Sequence, residues 1–348
     1  MKRIVAIILC LMVSFACMAA SAQSGSWGQI NQPVGRPDDW QAFVQSSPFA
    51  LGEKVQAGEA NGAAIYQYQW GSYPSLDGST VCVPMAMELG RQLLGMREED
   101  LKGFVAFSTT HYAYERLIKS AANPTVTIPS ENAMMDGTHP VDIILATEPS
   151  ADELKMAEDA GVTLVKVPFC YDAFVFLVNA RNPVNDLSLE QIRGIYTGAV
   201  RNWSAVGGAD EQIIPFQREP NSGSQTAMEN LVMKGTPLSG AVENYVSEGM
   251  GELVSQIGSY DNGWNSIGYS YLYYIENLYK SGELKVLSVD GITPSAENLR
   301  TGKYLFAACY YAVYRQGDEA AAAFANWLQG EEGQRCVAQA GYIPYVAP

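Results

Sequence analysis

The chain has 348 residues, 37 of them acidic against 22 Lys plus Arg, for a formal net charge of −15. Its 47% hydrophobic content supports a full core and excludes a disordered or low-complexity class, and the length suits one large or two medium domains. The acidic balance argues against nucleic acid and anionic lipid as partners, so any anion site must work through local hydrogen bonds and dipoles.

Residues 1–22 have the form of a secretory signal peptide: Lys2 and Arg3, an apolar run over 4–15 too short to span a bilayer, and Ala20-Ser21-Ala22 as the cleavage signal before Gln23. Cys17 follows Ala16, where a lipidated cysteine would stand. Ser14 and Phe15 fit a lipobox poorly, so cleavage after Ala22 is favoured over lipidation. Export to the periplasm or the outer face of the cytoplasmic membrane is the expectation. No later segment is long and apolar enough to cross a membrane.

Residues 23–60 form a polar N-terminal arm with at most a short helix over 38–44. Strands are predicted over 63–70, 104–108, 141–146 and 162–167. Helices are predicted from the turn at 77–80 to about 94, over 112–121, and over 151–160 before Gly161. This alternation predicts a mostly parallel α/β layer. The second half opens with a β-rich run over 172–179. Ser188 then caps a helix over 189–196, with Gln191 in capping-box position and Gly198 after its end. Strands follow over 213–217, 266–271, 285–289 and 304–314, and helices over 222–233, 249–257, 275–279, 318–328 and 331–340. No repeat of solenoid period is present. Two α/β lobes result, with the chain crossing between them near 168–172 and 303–312.

Cys82, Cys170, Cys309 and Cys336 are widely spaced, and His111 and His139 are the two histidines, so neither a zinc site nor any cofactor is expected. Cys170 and Cys309 each precede a β-like run. A disulfide between them is one reading, and buried small side chains are the other.

Four segments place hydroxyl, carboxyl or guanidinium groups where a ligand would meet a helix start or a strand end. They are Asp77-Gly-Ser-Thr80, Ser108-Thr-Thr-His111, Ala146-Thr-Glu-Pro149, and Arg218-Glu-Pro-Asn-Ser222-Gly223-Ser224. Small residues and hydroxyls at a helix N-terminus, with an arginine just before them, are the parts of an anion site. The plain alternatives are helix capping for Thr80, Thr110 and Ser222, a dipole-stabilised acid for Glu148, and a surface arginine for Arg218. No G-x-S-x-G, Walker A or H-E-x-x-H motif is present. Glu98-Glu99 fits a solvated helix surface.

From about Tyr73 to Tyr345 the chain resembles the periplasmic phosphate-binding proteins of Pst-type ABC importers, in the type II solute-binding-protein superfamily. The resemblance rests on Asp77-Gly-Ser-Thr-Val-Cys-Val-Pro84, Asp142-Ile-Ile-Leu-Ala-Thr-Glu-Pro149, Pro168 through Asn179, Leu189 through Trp203, Arg218-x-x-x-Ser222-Gly223-Ser224, and Gly341-Tyr-Ile-Pro344. Leu189 to Trp203, with I-Y-x-G-x-x-x-N-W, is the most specific of these.

The resemblance implies a two-lobed α/β fold with the ligand in the cleft between lobes. Residues 61–170 plus 309–348 would form one lobe and 171–308 the other. It implies a non-catalytic, monomeric phosphate receptor serving a membrane permease and ATPase. Another tetrahedral oxyanion, or a sensing role on the same fold, are the alternatives. Carried over, the ligand residues are Ser79, Thr80, the Val81 amide, Thr110, Glu148, Arg218, Ser222, Gly223 and Ser224. Glu148 stands where the family has a proton-accepting Asp, and Ser224 where it has Thr. The second loop lacks the family's glycines. An ionised Glu148 would accept a P–O–H hydrogen and reject an anion without a proton, such as sulfate.

Overall fold

A computed structural model describes Phe49 and residues 54–60, 63–68, 73–122, 141–239, 246–247, 250–258, 263–280 and 282–346. The expected leader and lipidation site, the helix expected over 38–44, and His139 lie outside them.

Strands β1 (Lys54–Ala60) and β2 (Ala63–Tyr68) pair antiparallel as a hairpin apart from the main sheet. The sequence predicts only β2. The KVQAGEA run of β1 alternates only weakly, with Val55 its one large apolar residue and Gly58 in its middle, and antiparallel pairing with β2 makes the strand.

The remaining strands are β3 (Leu76–Gly78), β4 (Ile143–Ala146), β5 (Leu164–Asn179), β6 (Asp186–Leu187), β7 (Ile214–Pro215), β8 (Gln217–Arg218), β9 (Val246–Ser247), β10 (Ser266–Tyr271), β11 (Leu284–Val286), β12 (Ser288–Val289), β13 (Ala307–Arg315) and β14 (Ile343–Pro344). Eight of them form one sheet in the order β3-β4-β13-β5-β10-β7, with β11 and β14 also on β5. The β3–β4 and β10–β7 pairs are parallel, and the pairs made by β13 and by β5 are antiparallel. The sheet is therefore mixed rather than mostly parallel. The cause is β13, which arrives late in the chain and inserts between β4 and β5. Alternation along a sequence carries no information about such an insertion.

The sequence predicts separate strands over 162–167 and 172–179, divided by Pro168. They are one strand of 16 residues, β5. Proline has no N–H for the ladder, so the strand passes it through a bulge: Tyr310 faces Cys170, Tyr311 faces Pro168, and Phe169 is skipped. The carbonyls around the bulge find other donors, Gln329 Nε2 on Pro168 at 2.8 Å and Gln334 Nε2 on Phe169 at 3.0 Å. The first half of β5 pairs with β13 and β14, and the second half with β10 and β11. β5 and β13 thus carry the chain between the two halves of a two-lobed α/β architecture. The segment 168–172 lies within β5, and 303–312 runs into the start of β13.

The helices are α1 (Val83–Leu94), α2 (Glu98–Phe104), α3 (Thr110–Ala122), α4 (Ala151–Asp159), α5 (Leu189–Tyr196), α6 (Gly223–Ala227), α7 (Met250–Gly258), α8 (Ala296–Arg300), α9 (Glu319–Gln329) and α10 (Glu331–Gln339). Ser150 with Glu153, and Ser188 with Gln191, form complete capping boxes at α4 and α5. α6 continues into a π-helical turn, Met228–Met233, that stops at Lys234 in the left-handed region. The strand predicted over 104–108 does not form. Phe104 closes α2, and Val105–Thr109 runs without a ladder.

The core is aromatic where the lobes join. Phe174, Phe176, Tyr196, Tyr269, Tyr271, Phe306 and Tyr310 are all buried around β5 and β10. Phe174 and Phe176 meet edge to face, with centroids 5.8 Å apart. All four described cysteines are free. Cys170 pairs with Tyr310 and Cys309 with Tyr171. This register puts the two sulfurs on opposite faces of the sheet, so the disulfide option fails on geometry.

Candidate functional site

The site is built from the ends of β3 and β4 on one side and the β8–α6 turn on the other. β3 must end in glycine, because a Cβ at Gly78 would stand 2.2 Å from the Leu145 carbonyl oxygen. The Ser79 N–H then donates to that same oxygen at 2.9 Å, and Thr80–Cys82 forms a single 3₁₀ turn. Ser79 is buried and its side chain makes no capping bond, so capping does not account for it. Thr80 is exposed, while Val81 is fully buried and its carbonyl accepts from the Tyr342 hydroxyl at 2.5 Å.

Asp77, with no solvent exposure, organises the next segment. Its carboxylate accepts from Ser108 N at 2.7 Å, Ser108 Oγ at 2.6 Å and Arg116 Nη1 at 2.5 Å. Ser108 is thereby committed to the scaffold. The chain then turns through Thr109 at φ 75°, the left-handed region that a β-branched residue normally avoids. Such strain costs on the order of 1–3 kcal/mol and clusters at ligand clamps. Its effect is to start α3 at Thr110, which is buried.

β4 is buried throughout and delivers Thr147 just past its end. The Thr147 carbonyl is fixed by the Tyr114 hydroxyl at 2.7 Å. Its own hydroxyl is buried with no hydrogen-bond partner, and the Tyr271 ring hydroxyl lies beside it. Burial raises the Tyr271 hydroxyl's pKa well above its ordinary value, so this group stays protonated.

On the facing side, Arg218 is buried, and its N–H donates to Gln225 Oε1 and to the Tyr269 hydroxyl at 3.2 and 3.1 Å. Asn221 takes φ 64°, and Ser222 Oγ accepts from Gln225 N at 3.2 Å as the α6 N-cap. The capping role foreseen for Ser222 therefore applies to its side chain. Ser224 Oγ is different: it is buried and has no partner.

The two sides meet at Gly223. A Cβ there would stand 2.7 Å from Thr147 Oγ1 and 2.9 Å from Thr110 Oγ1. The Tyr271 hydroxyl donates to the Gly223 carbonyl at 3.3 Å, and Asn221 Nδ2 donates to Asp152 Oδ2 at 3.0 Å. The structure thus brings Thr110 together with Gly223, and adds Thr147, which the sequence analysis passes over in favour of its neighbour.

Glu148 is the departure. Its carboxylate ion-pairs with Lys166 of β5 with 43% of its side chain exposed, and burial together with this carboxylate holds the adjacent Tyr311 hydroxyl well above its ordinary range. Lys166 in turn lies 5.5 Å from the Tyr311 ring centre. The nearest signal to Thr147 in the sequence is its place directly after a wholly apolar strand, the same signal that points to Glu148. Sequence alone does not say which of two successive side chains turns inward. His111 pairs with Glu153, Nδ1 to Oε1 at 2.9 Å, and burial raises the Glu153 carboxyl above its ordinary range.

Two lobes joined by paired strands, with the Thr110 and Thr147 hydroxyls of one side meeting the start of α6 on the other, have the build of a two-lobed solute-binding protein. The family model for the PBP superfamily domain matches residues 113–332. The chain belongs to this superfamily of solute-binding proteins. It is 31% identical over 179 residues to the phosphate-binding protein PstS of Bacillus subtilis, across 49% of this chain and 56% of that one. The chain thus spans only about half the length of this curated relative. A phosphate ABC transporter substrate-binding protein of Clostridium perfringens, crystallised with bound phosphate, superposes with a TM-score of 0.56 at 25% identity, over 78% of this chain and 99% of that one. An ABC-type phosphate transport receptor from Vibrio cholerae shares the fold at 19% identity, with a TM-score of 0.54.

Proposed function

We propose that this chain is an extracytoplasmic receptor for inorganic phosphate that hands its cargo to an ABC importer in the membrane. The observation that carries this reading is that two of the buried hydroxyls without partners stand at the end of β4 and in the first turn of α6, Thr147 and Ser224, on either side of the Gly223 contact. A buried hydroxyl left unsatisfied costs about 1–3 kcal/mol. Two of them where the lobes meet argue for a polar ligand that satisfies both. Arg218 supplies the charge that a phosphate needs, and the start of α6 supplies a favourable dipole. The phosphate bound to the C. perfringens relative, and the name of the B. subtilis one, favour phosphate as the anion.

In this reading residues 61–170 plus 309–348 form one jaw, with Ser79, Thr80, the Val81 amide, Thr110 and Thr147. Residues 171–308 form the other, with Arg218, Ser222, Gly223 and Ser224. The anion bridges the jaws and favours the closed form over the open one, which a permease and its ATPase would sense. Hydrogen bonds to the charged ligand are each worth about 1.5–3 kcal/mol, and ordering costs on binding reduce the total. Glu148 has no place in the clamp, because Lys166 holds it. The receptor so proposed carries out no catalytic step and works as a monomer.

Titration calorimetry with phosphate, alongside a thermal-shift screen of phosphate, sulfate, arsenate and molybdate, tests it. Phosphate is expected to bind at a one-to-one ratio and raise the melting temperature. A folded protein that shows neither effect would overturn the proposal.

A further inference from the structure

Among the described residues, the acidic groups nearest the Gly223 contact have partners of their own. Asp77 serves Ser108, Gly78 and Arg116. Glu153 serves the Ser150 N–H and His111. Asp152 accepts from Asn221, and Glu229 accepts from Gln225 Nε2 at 2.9 Å. Glu148, next to the cleft in sequence, is taken by Lys166. The side chains described at the Gly223 contact are hydroxyls, Thr110, Thr147 and Tyr271, and Ser224 follows directly in the same turn of α6.

A carboxylate and a hydroxyl treat an anion differently. An ionised carboxylate only accepts, so it binds an oxygen that carries a proton and repels one that does not. A hydroxyl rotates to accept from the first or donate to the second. Thr147 is 3% exposed, its Oγ1 faces Gly223, and its polar neighbour within the chain is the Tyr271 hydroxyl, which also donates to the Gly223 carbonyl.

We infer that Thr147, and not a carboxylate, is the group at the end of β4 that meets the anion, and that the cleft therefore takes tetrahedral oxyanion dianions with or without a proton. This rests on the phosphate-receptor reading and narrows it: the receptor discriminates weakly between hydrogen phosphate and sulfate. Arg218 and the hydroxyls define charge and shape, and neither distinguishes these two anions.

The experiment is titration calorimetry of the whole chain at pH 7.5 with phosphate and with sulfate, on the wild type and on Thr147→Val, Thr147→Ser and Glu148→Gln. The expected result is a wild type that binds the two anions within about tenfold of each other, a difference of ~1.4 kcal/mol or less. Thr147→Val should weaken both by at least tenfold, and Thr147→Ser, which keeps the hydroxyl, should stay within about threefold of wild type. Glu148→Gln should leave the phosphate-to-sulfate ratio unchanged. Circular dichroism and a melting curve establish that each variant is folded. A preference for phosphate above tenfold overturns the inference, as does a ratio that Glu148→Gln alters or a Thr147→Val protein that binds like wild type. A folded wild type that binds neither anion removes the receptor reading itself, which separates that failure from this one.

Discussion

Substituting Gly223 by Ala separates binding from folding. The new Cβ would stand 2.7 Å from Thr147 Oγ1 and 2.9 Å from Thr110 Oγ1, both closer than side chains tolerate. Those two hydroxyls belong to the opposite jaw, so the clash exists only where the jaws meet. Overpacking of this kind costs about 1–3 kcal/mol, which converts to roughly a 5- to 150-fold loss of affinity. Within its own jaw the same methyl is harmless or helpful, because Gly223 opens α6 and Ala gains up to about 0.5–1 kcal/mol over Gly in a helix. The variant should therefore melt at the same temperature or higher without ligand, yet bind phosphate at least fivefold more weakly by calorimetry. An unchanged dissociation constant would refute the claim that the cleft closes on Gly223. A large drop in ligand-free stability would show that the jaws are packed together without an anion.

Arg218→Ala should weaken phosphate binding by tenfold or more, read by calorimetry; an unaltered constant removes the arginine from the site. Asp77→Ala leaves the Arg116 guanidinium buried without its carboxylate, side chains 4% and 0% exposed, and should cost about 3–5 kcal/mol in urea unfolding. Asn221→Ala deletes an exposed hydrogen bond to Asp152 across the cleft, and should lower phosphate affinity no more than about fivefold. Asp172 makes a prediction about pH. It is buried in β5, accepting from Ala173 N at 2.7 Å, Tyr273 N at 3.1 Å and Tyr310 OH at 2.5 Å. Burial nonetheless pushes its carboxyl up to about 7. The folded chain holds this proton more tightly than the unfolded one, so the contribution to stability is greatest below about pH 4 and falls as pH rises to about 7. Asp172→Asn should flatten the decline in urea midpoint between pH 4.5 and 7.5, and an equally steep decline would contradict the assignment.

Local chemistry was legible in the sequence wherever one segment decides it. Ser188 and Gln191 make their capping box, Ser222 caps α6, and Gly161 and Gly198 follow helix ends with positive φ. The two-lobed α/β class was also legible, because the alternation of strands and helices resumes in the second half. What failed depends on partners far apart in the chain. The insertion of β13 between β4 and β5 makes the sheet mixed, and the bulge at Pro168 joins two predicted strands into one. Ser108 belongs to Asp77 and Glu148 to Lys166, pairings that span 31 and 18 residues. Thr147 and Glu148 are adjacent, and only the packing around Tyr114 and Tyr271 turns the first inward and leaves the second to β5.

A crystal structure of the protein grown with phosphate tests the central claim most directly. One phosphate is expected between the jaws beside Gly223, with oxygens within hydrogen-bond distance of Thr110, Thr147, Ser224 and the Arg218 guanidinium. A phosphate bound elsewhere, or a cleft in which Thr147 and Ser224 remain without partners beside a saturating ligand, would contradict it.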